Sequence, residues 1–175
     1  MLKIDDPIRK ADWMKAAILA HWRYNKQCPL VACECSAKLR PTIHGDRADV
    51  LAMTTTRILI ETEIKLTIQD LKNDCKKQIH KDFVSKAYKY PVHFFCFAVP
   101  LEIAKEAKTV VSQMYPHAGL LVVHDHYQVN SPQVQTVLPA KRFPKPPLNA
   151  AQIKIMERST SATICKQAFQ LCRKA

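Results

Sequence analysis

Two neighbouring apolar segments with charges at their ends constrain the fold more than any other feature of the chain. Residues 48–54 and 57–65 both have the apolar, β-branched composition of strands, with a run of threonines at their junction. Alternate side chains of a strand lie on one face, so Glu61, Glu63 and Lys65 are predicted to share a face of a buried sheet. Charges in such a place are costly unless they are paired or bind a metal ion. This position therefore requires either an ion-pair network or a functional site.

A second acid, Asp49, lies near the start of the first of these strands. Two carboxylates from adjacent strands can bind a divalent cation, and the ammonium group of Lys65 could stabilise charge on a phosphate undergoing hydrolysis. The alternative interpretation is a structural ion pair of Glu63 with Lys65 or Arg47. The acid-x-lysine spacing has little specificity by itself, because three other segments of the chain show it. Only this one ends an apolar strand whose partner strand also carries an acid.

Composition narrows the class of partner. The 175 residues predict a single domain, residues 1–175, with one core. Lysine and arginine outnumber aspartate and glutamate by 27 to 15, and the resulting charge of +12 favours a polyanionic partner over a merely solvated basic surface. Only 2 glycines are present, which excludes a glycine-rich phosphate loop or dinucleotide fingerprint.

The cysteines and the hydropathy pattern bear on location. The 7 cysteines are an odd number scattered through apolar segments, as expected for reduced, buried cysteines. The start of the chain lacks the apolar core of a signal peptide, and no apolar run is long enough to span a membrane. We therefore expect a cytoplasmic protein with no membrane partner.

The order of elements predicts an α/β fold with a mixed central sheet flanked by helices. Helices are expected over residues 9–24, 68–83, 101–115 and 149–173. Strands are expected over residues 30–37, 48–54, 57–65, 92–99 and 118–123, with a hairpin or edge strand within 127–138. Residues 40–46 have the composition of a loop, and the basic, proline-rich residues 141–147 cannot be helical. The first three strands should form a meander, and a strand-helix-strand unit of the later length implies a parallel crossover.

The helix over residues 68–83 is expected to begin with a capping box at Thr67 and Asp70. Its predicted apolar stripe consists of Ile68, Leu71, Cys75, Ile79 and Phe83. Beside that stripe, every fourth residue is basic: Lys72, Lys76 and His80. This ridge either contacts phosphates near the acids or is an ordinary solvated face; its proximity along the chain to Lys65 favours phosphate contacts.

From about residue 12 to residue 124, the succession of elements with acids on the second and third strands resembles the PD-(D/E)xK nuclease superfamily. The run from Glu63 to His80 resembles a stand-alone, phage- or prophage-type subgroup, or repair nucleases, with E-x-K, a threonine, a D-hydrophobic-x-x-D run, paired lysines and a histidine. Phe97-Ala98-Val99-Pro100 and Ala118-Gly119-Leu120-Leu121 match two later motifs of that subgroup. The resemblance implies a restriction-endonuclease-like core, with residues 125–175 forming a C-terminal addition.

The resemblance also implies roles for individual residues. Asp49 and Glu63 would bind Mg²⁺ or Mn²⁺ together with the backbone carbonyl of Ile64, and Lys65 would be the catalytic lysine. Lys76 would be the auxiliary residue on the helix. The chain departs from the family pattern in having Ala48 where proline is common, and in lacking a glutamate in the opening helix. Glu34 or Glu61 could supply that further acid, or the site could bind one ion only.

We therefore expect a Mg²⁺-dependent endodeoxyribonuclease acting in DNA repair, recombination or phage DNA processing. The residues expected to contact the DNA backbone are Lys72, Lys76, Lys77, His80, Lys141, Arg142 and Lys145. Two alternatives stay open, namely an inactive nuclease-fold protein that binds DNA, and a basic module that binds RNA or protein. Because many nucleases of this kind cut two strands as dimers, a homodimer is a further expectation.

Overall fold

A computed structural model describes residues 7–36, 39, 47–85, 91–124 and 133–172. Within those residues, six strands form one mixed sheet with helices on both faces. The strands are β1 (Leu30–Ser36), β2 (Arg47–Met53), β3 (Leu59–Ile64), β4 (Phe94–Pro100), β5 (Gly119–Val123) and β6 (Val134–Leu138). The helices are α1 (Pro7–Ala20), α2 (Ile68–Asn73), α3 (Gln78–Val84), α4 (Ala104–Met114) and α5 (Ala150–Cys172). A π-helical turn (His21–Asn25) continues α1, and short 3₁₀ turns follow α2 (Asp74–Lys76) and precede α4 (Leu101–Ile103).

The spatial order of the strands is their order in the sequence. β1, β2 and β3 form the expected antiparallel meander. β3, β4 and β5 are parallel, with α2 and α3 between the first two and α4 between the last two. β6 pairs antiparallel with β5 at the edge of the sheet. The α/β class, the mixed sheet and the parallel crossover predicted from the sequence are confirmed.

Helices cover both faces of the sheet because its central strands are apolar on both. On one face, Met14, Ala17 and Ile18 of α1 pack with Trp22 against the side chains of alternate strand residues. The other face packs against α2, α3, α4 and α5, through residues that include Leu71, Phe83, Val111 and Met156. All six residues of β3 are buried, so its glutamates lie inside this layered core.

The helix predicted over residues 68–83 is broken, and this part of the prediction is wrong. Thr67 caps α2 as expected, since its hydroxyl accepts a hydrogen bond from the Asp70 N–H at 3.1 Å. The hydroxyl of Tyr115 then donates to the carbonyls of Leu71, at 2.7 Å, and Lys72, at 3.2 Å, which a continuous helix would use for its next turn. The chain tightens into a 3₁₀ turn and becomes extended at Lys77, with ψ at 141°.

The break changes which side chains face inward. Cys75, expected on the apolar stripe, is exposed, and Cys165 is exposed as well, against the expectation of buried cysteines. Asp74 and His80 are buried instead. The predicted ridge of Lys72, Lys76 and His80 therefore does not exist as a continuous basic surface.

The C-terminal part follows its prediction. Residues 141–147 are irregular, and Asn149 caps α5, because its side chain accepts from the Gln152 N–H while the Gln152 side chain accepts from the Asn149 N–H, both at 3.0 Å. The loop predicted over residues 40–46 and the first part of the hairpin predicted within 127–138 lie outside the described residues. No helix in the described part of the chain is long and apolar enough to cross a membrane.

Gly119 is required where β5 begins. A Cβ atom at this position would lie 2.9 Å from the backbone nitrogen of Ala140 and 3.0 Å from the sulfur of Cys96. We expect Gly119→Ala to lower the free energy of unfolding by about 1–3 kcal/mol, because backbone on one side cannot move aside cheaply. Chemical denaturation of the two proteins measures this change, and an unchanged midpoint would contradict a close, rigid contact at Gly119.

Burial lowers the pKa of His21 to about 4, with the charge of Lys26 contributing. Neither ring nitrogen of His21 has a hydrogen-bond partner among the described residues. The unfolded chain takes up a proton below about pH 6.5, whereas the folded protein does not until about pH 4, so this contribution to stability is complete above pH 6.5 and is lost as the pH falls towards 4.

We expect His21→Phe, which keeps a ring against Trp22, to remove about 2–3 kcal/mol of the loss of stability between pH 6.5 and pH 4. Denaturant titrations of both proteins at several pH values test this. Equal pH slopes for the two would contradict it.

Candidate functional site

The register of the meander places the two predicted acids on one face. β2 and β3 pair with Leu51 opposite Glu61. Asp49 and Glu63 are each two residues away from that pair, so strand alternation places both on the same face as Leu51 and Glu61. The Asp49 carboxylate also accepts a hydrogen bond of 2.8 Å from the Ile64 N–H, directly beside Glu63. The negative charge of Asp49 helps to raise the pKa of Glu63, after burial, which is the larger cause. The two acids thus lie close enough to repel each other.

Glu63 belongs to a group of four alternating charges, which we call the charged quartet: Glu63, Lys65, Asp74 and Lys77. Lys65 Nζ lies 2.5 Å from Asp74 Oδ1 and 3.7 Å from Glu63 Oε2. Lys77 Nζ lies 2.5 Å from Glu63 Oε2 and 3.0 Å from Asp74 Oδ1. Each acid therefore contacts both lysines. Only Lys77 reaches solvent, with 46% of its side chain exposed, whereas no more than 7% of each of the other three side chains is.

Asp74 anchors the quartet from the 3₁₀ turn. Its second carboxylate oxygen accepts a hydrogen bond of 2.6 Å from His80 Nε2. Burial alone would raise the pKa of Asp74, but the hydrogen bonds from His80 and Lys65 hold it well below its usual range. The other nitrogen of the His80 ring shares a hydrogen bond of 3.2 Å with His117 Nε2. Asp74 is thus an ionised carboxylate fixed from three sides.

Glu61 lies on the same face of β3, two residues before Glu63. It is 3% exposed, and its Oε2 atom has no hydrogen-bond partner among the described residues. Burial, followed by the neighbouring charge of Glu63, raises its pKa well above the ordinary value. The neutral, protonated form of Glu61 is therefore favoured.

Lys15 of α1 gives Asp49 its counter-ion. It forms an ion pair with Glu34 of β1, and its Nζ lies 3.7 Å from Asp49 Oδ1. Glu34 has a left-handed backbone, with φ at 52°, between the pairs Cys33 with Val50 and Cys35 with Ala48. That register carries Glu34 to the strand position opposite Asp49. Burial opposes the charge of Lys15, yet its hydrogen bond to Glu34 and the charge of Asp49 raise its pKa overall.

The structure places the predicted DNA-contacting residues in different surroundings. Lys77 contacts Glu63, whereas the neighbouring Lys76, predicted as the auxiliary lysine, is exposed and forms no ion pair among the described residues. Lys72 is half-exposed and lies 3.8 Å from Glu106 of α4. His80 is 4% exposed, so it is not on the surface, and its ring packs among aromatic side chains instead.

Lys141, Arg142 and Lys145 lie elsewhere, in the segment around Phe143. The N–H of Phe143 donates to the carbonyl of His93, which immediately precedes β4. Glu63 pairs with Phe97, four residues further along β4, which is roughly 13 Å at the rise of a strand. Lys141 and Arg142 are exposed, and Lys145 is partly buried. These residues and Lys77 are therefore not brought to one point.

The donor set suits a hard divalent cation. Asp49 and Glu63 supply carboxylate oxygens, which Mg²⁺ and Mn²⁺ prefer. Burial raises the pKa of Glu63, and a neighbouring cation would favour its ionised form. No group of three or more His, Cys, Asp or Glu side chains among the described residues is arranged to bind one metal ion. A metal would therefore rest on the two carboxylates, with water and backbone oxygen completing its coordination.

Strand alternation predicts that Asp49, Glu63 and Lys65 share one face, but the sequence does not predict two residues that the structure places beside them. In the sequence, Asp74 appears only as part of the D-hydrophobic-x-x-D run, within the segment predicted to be one helix. Lys15 gave no signal, since a single lysine in an amphipathic helix is usually solvated.

Comparison with known proteins bears on the fold alone. No family model matches the sequence, and no curated protein matches it. Among solved structures, the SPO1766 protein of unknown function from Silicibacter pomeroyi matches with a TM-score of 0.55 and 18% sequence identity, over 97% of this chain and 94% of that chain. This chain is therefore similar in fold to SPO1766 over nearly its whole length.

Replacing Asp74 tests how much the quartet contributes to stability. We expect Asp74→Asn to lower the free energy of unfolding by about 3 kcal/mol, because Lys65 would stay buried without its nearest counter-charge. Asp70→Asn is the matched control, since its carboxylate lies 3.9 Å from the same Lys65 Nζ but its side chain is 57% exposed. It should cost less than about 1 kcal/mol. Equal losses in urea denaturation would show that Asp74 is not the anchor.

Proposed function

We propose that this chain is a metal-dependent DNA nuclease whose core is of the restriction-endonuclease type. The observation that carries the proposal is the placement of Asp49 and Glu63 on one face of adjacent antiparallel strands, with Lys65 Nζ 3.7 Å from Glu63. The order of helices and strands around them supports the same conclusion, since a meander, a helical segment and a parallel strand follow one another in the order that the sequence resemblance implies.

In this proposal Asp49 and Glu63 bind Mg²⁺ or Mn²⁺ with the Ile64 carbonyl. The metal, when bound, polarises the scissile phosphate and activates a water molecule. Lys65 provides positive charge for the transition state from a position that Asp74 fixes at 2.5 Å. Asp74 therefore acts as a positioning residue and Lys65 as the catalytic one.

The DNA backbone is the natural partner for the net charge of +12. Lys72, Lys76 and Lys77 follow the candidate site in the chain, and Lys141 and Arg142 extend the basic surface from another segment. Such contacts position the backbone without reading its sequence, so affinity should fall steeply with salt. Cleavage in repair, recombination or phage DNA processing, by a cytoplasmic enzyme that could act as a homodimer, is consistent with this chemistry.

A second candidate is a protein of the same fold that binds DNA without cutting it. The observation in its favour is that a lysine already lies against each acid, Lys15 at Asp49 and Lys77 at Glu63. In that case the carboxylates would be structural, and the basic surface alone would be functional.

Cleavage assays on linear, nicked, branched and single-stranded DNA with Mg²⁺ or Mn²⁺ distinguish the two candidates. We expect Glu63→Gln and Lys65→Met each to lower the rate by about a hundredfold or more, because each removes a group that acts on the transition state. Glu106→Gln and Lys108→Met are matched controls, since they change the same tripeptide pattern on the exposed surface of α4 and should leave the rate unchanged. Salt-dependent DNA binding without cleavage of any of these DNAs would favour the second candidate.

A further inference from the structure

Lys77 occupies the side of Glu63 that a metal ion would need. Its Nζ atom is 2.5 Å from Glu63 Oε2, closer than the 3.7 Å of Lys65 to the same oxygen. A carboxylate oxygen that accepts an ammonium group at this distance has little room for a divalent cation. Binding of a metal at Glu63 must therefore compete with Lys77.

The backbone makes Lys77 suitable for such a competition. It is the extended residue between the 3₁₀ turn and α3, and no side-chain hydrogen bond caps α3 there. Its flexible side chain is 46% exposed, so the ammonium group can turn towards water without opening the core. Lys65, by contrast, is 6% exposed and bound to Asp74. Of the two lysines on Glu63, only Lys77 can leave at low cost.

Asp74 supplies a place for Lys77 during the exchange. The Nζ of Lys77 is already 3.0 Å from Asp74 Oδ1, so loss of the contact with Glu63 leaves one ion pair intact. The buried Oε2 atom of Glu61 on the same face has no hydrogen-bond partner among the described residues, so the two lysines leave it unpaired. A divalent ion between Asp49 and Glu63 would compensate both carboxylates, whereas the Lys77 ammonium group contacts only the second of them.

We propose that Lys77 is a tethered counter-ion that holds Glu63 in the metal-free protein and is displaced from it by a divalent cation. The displaced ammonium group then lies beside the site, where it can donate a hydrogen bond to a DNA phosphate. This inference rests on the proposed function, because it takes Glu63 as a metal ligand. It also gives separate roles to adjacent lysines, with Lys77 inside the site and Lys76 outside it.

The test is Mn²⁺ binding in the absence of nucleic acid, measured by electron paramagnetic resonance or calorimetry. We expect Lys77→Gln to bind Mn²⁺ at least about fivefold more tightly than wild type, because the competing charge at Glu63 is gone. Lys76→Gln is the matched control, since it removes the same formal charge one residue away and should change affinity by less than about twofold. The double variant Glu63→Gln, Lys77→Gln should lose the tight binding.

Thermal unfolding provides a second readout. Without metal, Lys77→Gln should be less stable than wild type, and Mn²⁺ should raise its melting temperature by more than it raises that of wild type. Equal or weaker Mn²⁺ binding by Lys77→Gln, with wild type binding normally, would overturn the inference and leave the proposed nuclease intact. No Mn²⁺ binding by any of the proteins would overturn both the inference and the metal-dependent mechanism.

Discussion

The ion pairs that Asp74 makes with Lys65 and Lys77 are the interactions on which the rest of the site depends. β3 lies between β2 and β4, and all six of its residues are buried, including two glutamates. Negative charge in such a strand would oppose folding unless cations reached it from a neighbouring element. Asp74 holds the two lysines in place, and it can do so only because the chain turns inward after α2. The break between α2 and α3 is thus a requirement of the buried charges.

Periodicity predicted most of the fold because most elements are amphipathic or apolar over their full length. The meander, the parallel strands and the helix capped by Asn149 all follow from patterns within a few residues. The break after α2 could not be predicted in that way. It depends on the hydroxyl of Tyr115, which is 44 residues distant from Leu71 in sequence. No pattern within residues 68–83 could indicate this contact. The prediction of His80 at the surface was wrong for the same reason.

The candidate site shows the same division. Asp49, Glu63 and Lys65 lie on strands whose register follows from a short turn, so their shared face could be predicted from alternation. Lys15 reaches Asp49 from a helix packed across the sheet, and Glu34 meets it through a left-handed residue inside β1. Helix docking and local departures from strand geometry leave no periodic trace. The shared face of the acids and Lys65 was therefore predictable, and the lysine that lies beside Asp49 was not.

β3 is fixed by contacts on both faces of the sheet, and the face opposite the charged quartet contacts Trp22. Thr62, between the two buried glutamates, points to the opposite face, where its hydroxyl accepts a hydrogen bond of 3.1 Å from Trp22 Nε1 at the end of α1. Trp22 lies on a π-helical turn, whose wider winding shifts the following side chains relative to an ordinary helix. The hydrogen bond from the indole ring therefore fixes the position of β3 relative to α1. Packing changes in α1, remote from any charge, would alter how far the carboxylates project.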